Sequence, residues 1–300
     1  MNRRFIKMQR RGVTSSDKRG HRPRGFTLIE LLVVIAIIAL LLAILMPALQ
    51  RVKGQGQAVA CQARLKEWGL VYKLYTDDND GYFPEGWRNN DERVIWINAL
   101  RPYYKDNPKM LLCPTATREM ENSNDWGTFK AAWRDLDLPE GGVRHFIFSY
   151  GNNTWTDYMA GDRGDRLEEW FWKRVGNNTT VAPGTRTVIG RPVSTNTIPI
   201  LGDSTWHDAW PRDTDAPAVT PDAFGIGDRG TSGEMNHFCI NRHDGFVGIL
   251  FMDWSARRVG LKELWTLKWH RAFNTAGAWT TVGGTRPEDW PMWLRRFKDY

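Results

Sequence analysis

The chain has 300 residues, enough for one large domain or two small ones, and a formal net charge of +7. The charge is uneven, because residues 1–25 hold nine Lys or Arg and one acid, whereas the rest of the chain holds 32 bases and 33 acids. The basic balance therefore belongs to the N-terminal segment. It therefore gives no indication of a nucleic-acid-binding surface, and no nucleic-acid partner is expected.

A long apolar run follows the basic segment. Among the 21 residues from Phe26 to Met46, only Thr27 and Glu30 are polar. As a helix this run is about 31 Å long, which matches the roughly 30 Å hydrocarbon core of a bilayer. We therefore predict a single transmembrane helix with a cytoplasmic N-terminus, because basic residues flank its start. A carboxylate kept inside a membrane segment is more often functional than accidental.

The sequence Gly-Phe-Thr-Leu-Ile-Glu at residues 25–30, with the apolar run after it, resembles the processing motif of type IV pilins and type II secretion pseudopilins. In that family a prepilin peptidase cuts after the glycine and N-methylates the new first residue. The resemblance implies cleavage between Gly25 and Phe26 and methylation of Phe26. It also places Pro47 at mature residue 22, where many pilins carry a helix-kinking proline.

The same resemblance implies a function. Glu30 becomes the fifth mature residue, which the family uses in assembly, and the amine of Phe26 in a neighbouring subunit could supply the cation that a buried carboxylate needs. The expected partners are prepilin peptidase, other pilin-like subunits and the inner membrane. The C-terminal residues are expected in the periplasm, or at the cell surface after assembly. The chain is expected to be a fibre subunit of a pilus or a secretion pseudopilus, without a cofactor and without enzymatic activity.

The predicted fold is α+β and pilin-like. Apolar residues continue as a stripe beyond Met46, and the acidic sequence at 77–81 predicts that the long helix ends near Thr76. The outer half of this helix is expected to pack on an antiparallel β-sheet with long loops. The predicted segments are a basic leader at 1–25, a transmembrane helix at 26–46, the soluble half of the helix at 47–80 and a head domain at 81–300.

Composition and periodicity predict smaller elements in the head domain. Apolar residues at helical spacing from Trp96 to Tyr104 predict a short helix that packs on the long one. Strands are expected at 145–150, 187–189, 198–201, 238–241, 246–252 and 256–259, with a helix at 261–273.

Three cysteines, Cys61, Cys113 and Cys239, allow at most one intrachain disulfide. A Cys61–Cys113 bridge is the pairing that the resemblance implies, since similar proteins tend to carry cysteines near both positions. Three buried free thiols are the alternative. The chain has no Cys-x-x-Cys spacing, so no zinc site is predicted.

A second pattern lies near the C-terminus, where His243 is followed by Asp253-Trp254. It resembles a His-x9-Asp-Gly pattern in a subset of pilin-like proteins from planctomycete-type bacteria. Trp254 replaces the glycine, which puts a tight turn with positive φ in doubt. We expect His243 and Asp253 to meet across a hairpin as a structural pair. The surrounding His and Asp residues could also form a metal or hydrolytic centre, but none has recognisable ligand spacing.

Two other features leave alternatives open. The 16 tryptophans could stack on sugars or fill a core. A membrane-tethered carbohydrate-binding protein is therefore the alternative function, with polysaccharide as a further partner. The tryptophans in question are Trp155, Trp170, Trp172, Trp206 and Trp210.

Residues 76–81 partly match a calcium loop, but the twelfth position is Trp87 where a bidentate glutamate is needed, which favours a solvated turn.

Overall fold

A computed structural model describes residues 26–86, 95–105, 107–119, 127, 131–137, 143–158, 170–175, 194–221 and 233–300. The chain divides into two compact units, Met1–Gln50 and Arg51–Tyr300. The predicted leader, the strand expected at 187–189 and Trp87 lie outside the described residues.

The first helix, α1, runs from Leu28 to Asp78 and continues through Pro47. In the first unit its large apolar side chains are all exposed, from 45% at Val34 to 84% at Leu28. A helix that is apolar on every side suits lipid rather than water. This is the one described helix long and apolar enough to cross a membrane.

The end of α1 follows from local chemistry. Asp80 and Gly81 both have positive φ, and the Gly81 N–H donates to the carbonyl of Thr76. Helices commonly end at a residue in the left-handed conformation whose N–H donates to a carbonyl of the last turn. Glycine adopts this conformation without strain. The predicted end near Thr76 is confirmed to within a turn.

Two short helices follow in the second unit, α2 at Trp96–Ala99 and α3 at Arg101–Tyr104. They replace the single short helix predicted for this stretch. Trp96, Leu100 and Tyr104 are buried, and Trp96 and Tyr104 contact the ring of Trp68 on α1. The expectation that this segment packs on the long helix is confirmed.

The strands form two sheets. Strands β1 (Arg118–Glu119), β2 (Ala131–Asp137) and β3 (Val143–Phe148) form a three-stranded sheet in that order. A five-stranded sheet contains β4 (Tyr150–Asn153), β5 (Pro199–Asp203), β6 (Asp208–Ala209), β7 (Phe246–Phe251) and β8 (Ala256–Gly260). The order of the strands in this sheet is β6-β4-β5-β7-β8.

The larger sheet is mixed, whereas the sequence predicted an antiparallel one. Strand β4 pairs with β5 in antiparallel and with β6 in parallel orientation. The chain reverses after β5 and passes β4 before it forms β6, so β6 runs in the direction of β4. The remaining pairs, β5–β7 and β7–β8, are antiparallel.

Strand β7 is buried on both faces, and its residues alternate between two apolar clusters. Val247, Ile249 and Phe251 belong to one cluster, whereas Leu250 belongs to the cluster that contains the α1 side chains. Successive side chains of a strand point to opposite faces, so β7 separates the two cores. The predictions of strands at 246–252 and 256–259 are confirmed.

Two other predictions for this region are wrong. Residues 238–241 form local turns after a 3₁₀ helix at Glu234–His237, because the N–H groups of Phe238 and Cys239 donate to Met235. The helix predicted at 261–273 is a 3₁₀ helix at Lys262–Thr266 followed by turns. There the Lys268 N–H donates to the carbonyl of Thr197, which a continuing helix would prevent.

The α1 residue Trp68 tests how much the outer half of the helix contributes to stability. Its ring is buried, and its Nε1–H donates to the carbonyl of Met110 at 2.7 Å. We expect Trp68→Ala to lower the free energy of unfolding by about 3–5 kcal/mol, because it leaves a large cavity and an unpaired carbonyl. Chemical denaturation of the full chain in detergent, followed by circular dichroism, measures this.

The matched control is Leu70→Ala on the same helix, where the side chain is 67% exposed. This change should shift stability by no more than about 0.5 kcal/mol. Equal losses in the two variants would contradict packing of this face of α1.

Candidate functional site

The predicted processing motif begins with a helix cap. The Glu30 carboxylate accepts hydrogen bonds from the Thr27 N–H at 2.8 Å and the Thr27 hydroxyl at 2.9 Å, and the Glu30 N–H donates back to that hydroxyl. This reciprocal pattern is a capping box, which satisfies N–H groups that have no partner within the helix. Glu30 is thus held at the start of α1.

The other predicted processing residues are placed as follows. Phe26 is exposed and precedes the cap, and Gly25 lies outside the described residues. Pro47 lies inside α1. Cleavage, methylation and a kink at Pro47 stay predictions.

A second constellation lies in the second unit, where four buried side chains converge: Cys61, Cys113, Asp203 and His243. One donor atom from each lies within 4.8 Å of the others. His243 Nε2 is 3.3 Å from the Cys113 sulfur and 3.3 Å from an Asp203 oxygen. The Cys61 sulfur is 3.5 Å from both Asp203 oxygens.

Each of the four residues is positioned by a different element. Cys61 is on the buried face of α1, and Asp203 is the last residue of β5. Cys113 follows a 3₁₀ helix at Pro108–Leu111, and its N–H donates to the Ser149 hydroxyl. His243 precedes a tight turn with positive φ at Asp244 and Gly245, and the Gly245 N–H donates to the Asn241 side chain.

Neighbouring groups hold these side chains in place. The Arg242 guanidinium donates to Asp203 at 3.2 Å and to the backbone carbonyls of Ser149 and Ser204. The Gly248 N–H donates to Asp203 Oδ2 at 2.7 Å. The Tyr150 hydroxyl donates to the Cys61 sulfur at 3.3 Å.

The electrostatics of the cluster follow from burial and opposite charges. Burial disfavours ionisation of Asp203, but His243, Arg242 and the Gly248 N–H together hold its pKa below the usual range. Burial also opposes the charge on His243, yet Asp203 and Cys113 raise its pKa to about 10. Burial, Cys113 and Asp203 raise the pKa of Cys61. The cluster therefore holds a carboxylate next to an imidazolium.

The structure corrects the predicted His243–Asp253 pair. His243 contacts Asp203, whereas the Asp253 carboxylate accepts from the N–H and hydroxyl of Ser255. His243 precedes β7 and Asp253 follows it, so the two residues lie at opposite ends of a six-residue strand. Such a strand is about 20 Å long, which keeps them apart.

The turn after β7 has positive φ without glycine. Trp254 replaces the expected glycine and has a φ of 64°. A bulky residue in this conformation is strained by about 1–2 kcal/mol. The Trp254 ring packs against the α1 core cluster, and its centroid is 6.4 Å from that of Phe83. Ring packing therefore offsets the backbone strain.

The structure decides between two pairs of alternatives that the sequence left open: a disulfide or free thiols for the cysteines, and sugar binding or core packing for three of the tryptophans. All three cysteines are buried free thiols, so the predicted Cys61–Cys113 disulfide is not formed in this structure, although the two residues are neighbours. Trp155, Trp172 and Trp210 are buried. These three fill the core, which is the alternative to sugar binding.

The possible calcium loop has other contacts. Asp77 pairs with Lys73, and Asp78 accepts from the Tyr103 hydroxyl at 3.0 Å. Asp77 and Asp78 thus make contacts with protein groups at the surface of α1 and beside it. Sequence reasoning paired His243 with Asp253, included Asp203 only among the surrounding His and Asp residues, and missed Arg242. The cluster residues are too far apart in the chain for a spacing motif.

Two comparisons with known proteins find matches that cover part of the chain. The family model for the prokaryotic N-terminal methylation motif matches residues 20–46. The type IV wide pilus major component PilA4 of Thermus thermophilus is 42% identical over 59 residues, which is 20% of this chain and 45% of PilA4. The matched part of the chain is type IV pilin-like. The similarity spans less than half of PilA4, and no solved structure matches the chain.

A substitution at Gly248 tests the packing of the buried cluster. A Cβ at this position would lie 2.6 Å from Leu65, 3.2 Å from the Cys61 sulfur and 3.3 Å from Asp203. We expect Gly248→Ala to destabilise the protein by about 1–3 kcal/mol, because it overpacks a filled site. Thermal unfolding of the full chain in detergent measures the change.

Gly54→Ala is the opposite control, since a Cβ there has nothing within 4 Å and lies inside α1. It should stabilise the helix by roughly 0.5–1 kcal/mol. Unchanged stability in Gly248→Ala would show that the cluster is looser than the structure describes.

Proposed function

We propose that this chain is a subunit of a type IV pilus or a type II secretion-like fibre. A prepilin peptidase would cut it between Gly25 and Phe26 and methylate Phe26. The mature subunit would then pack its apolar helix against the helices of its neighbours. The observation that carries the proposal is the methylation motif at residues 20–46 joined to an apolar helix with no buried side chain over its first two dozen residues.

The apolar surface supports assembly as well as anchoring. An all-round apolar helix is stable in lipid, and the same surface can pack against identical helices when subunits leave the membrane. The basic residues at 1–25 favour a cytoplasmic N-terminus, which leaves the second unit on the periplasmic side. A surface position would follow from assembly.

The geometry of Glu30 refines its proposed role. Within one chain its carboxylate accepts from Thr27, so it needs no other partner to cap α1. Removal of the leader would place a new amine at Phe26, next to this carboxylate along the chain. We propose that a neighbouring subunit's amine competes for the same carboxylate and sets the register of the helices.

Processing is tested by N-terminal sequencing and intact mass of the protein from its native membrane. We expect a start at Phe26 with one added methyl group. Gly25→Leu should leave the leader in place, because a side chain at the cut site blocks the peptidase. A native protein that begins at Met1 would contradict the proposal.

The assembly role of Glu30 is tested with Glu30→Gln and Glu30→Ala. Glutamine can still accept in a capping box but carries no charge. If the carboxylate pairs with a neighbour's amine, both variants should be cut normally and both should lose fibres, as judged by electron microscopy of sheared cells. The exposed Glu67→Gln on α1 is the control and should assemble normally. Normal fibres from Glu30→Gln would reduce Glu30 to a helix cap.

A further inference from the structure

We infer that Cys61, Cys113, Asp203 and His243 form a closed structural site for one divalent zinc ion in the second unit. The inference starts from the donor set. Two thiols, an imidazole and a carboxylate are the ligands that zinc prefers, and four protein ligands make a structural rather than a catalytic site. All four side chains are buried, which leaves no donor position for substrate.

The spacing of three pairs of donor atoms fits a tetrahedral ion. Zinc bonds of about 2.0–2.3 Å separate neighbouring donors in a tetrahedron by roughly 3.3–3.8 Å. The structure has 3.3 Å from His243 Nε2 to the Cys113 sulfur, 3.3 Å from Nε2 to Asp203 Oδ2 and 3.5 Å from Asp203 to the Cys61 sulfur. A small shift of the side chains would complete the site.

The charges around the cluster also balance. When zinc binds, His243 would give up the proton of its imidazolium and the two cysteines would give up their thiol protons to solvent. Two thiolates, one carboxylate, a neutral imidazole and a Zn²⁺ ion then leave one negative charge. The Arg242 guanidinium, buried 3.2 Å from Asp203 Oδ1, supplies the matching positive charge. A buried group of this size is stable only when its charges are paired and hydrogen-bonded.

Neighbouring residues contact the four donor side chains and orient them, as the residues around a metal site usually do. The Thr115 hydroxyl lies 3.5 Å from His243 Nδ1, the ring nitrogen that would not bind zinc. The Gly248 N–H fixes Asp203 Oδ2, and the Tyr150 hydroxyl donates to the Cys61 sulfur. Such partners fix the tautomer and direction of metal ligands. The absence of a side chain at Gly248 lets Cys61 and Asp203 lie close to the backbone of β7.

The test uses the full chain, purified in detergent under reducing conditions, stripped with a chelator and then given Zn²⁺ alone or Co²⁺ alone. We expect one zinc per chain and a higher thermal midpoint with zinc, because the ion binds only the folded state. The cobalt complex should show the strong visible bands of a tetrahedral site and a near-ultraviolet thiolate-to-cobalt band.

Cys113→Ser and Cys239→Ser form a matched pair, since each replaces one buried thiol with a hydroxyl. Cys239 is outside the cluster, with its sulfur 3.9 Å from the Leu261 carbonyl. We expect Cys113→Ser to lose the bound zinc and much of the charge-transfer band, and Cys239→Ser to keep both. Near-ultraviolet circular dichroism establishes that each variant is folded.

Three results would overturn the site. One is a folded, reduced wild-type protein that binds no zinc and shows no thiolate-to-cobalt band, which decides the matter even if Cys113→Ser does not fold. Another is equal zinc retention by both variants. The third is a Cys61–Cys113 disulfide in peptide maps of protein from the native membrane, because it would remove two of the four donors.

Discussion

The packing of one face of α1 against the central strands is the interaction on which the second unit depends. Cys61, Leu65, Trp68 and Tyr72 recur at helical spacing, and all are buried in one cluster with Leu201 and Leu250 of the sheet. Helix and sheet approach closely because Gly248 offers no side chain to this face. Neither element could bury its apolar surface alone.

The same close approach brings polar groups into the core. Cys61 faces Asp203 across the helix–sheet boundary, and Arg242 reaches the same carboxylate from a loop. An unpaired carboxylate buried this deeply would destabilise the folded protein. The residues that pair with Asp203 are therefore required as a set. The core is thus specified by charge pairing as well as by volume, and register errors of the helix on the sheet would separate these groups.

The sequence predicted the parts of the fold that local pattern controls. The apolar run from Phe26, the breaking residues at 77–81 and the alternation in β7 each carry their signal within a short window. The helix predicted at 261–273 was wrong because the buried residues Leu264, Trp265 and Trp269 recur at nearly helical spacing in the sequence. The backbone instead turns, and the Lys268 N–H donates to the carbonyl of Thr197. Tertiary contacts overrode the periodic pattern there. The polar cluster was missed because its four members meet only after the sheet has formed.

The position of the helix cap bears on how a membrane protease could reach its substrate. The cap is at Thr27 and α1 begins at Leu28, so a scissile bond between Gly25 and Phe26 precedes the first helical residue. Proteolysis generally requires an extended backbone. Among the residues that the structure describes, from Phe26 onward, a cut at this position would sever no hydrogen bond of α1, and it would leave the capping box whole. If the proposed cleavage takes place there, the helix described from Leu28 would stay wound and its apolar segment would remain complete.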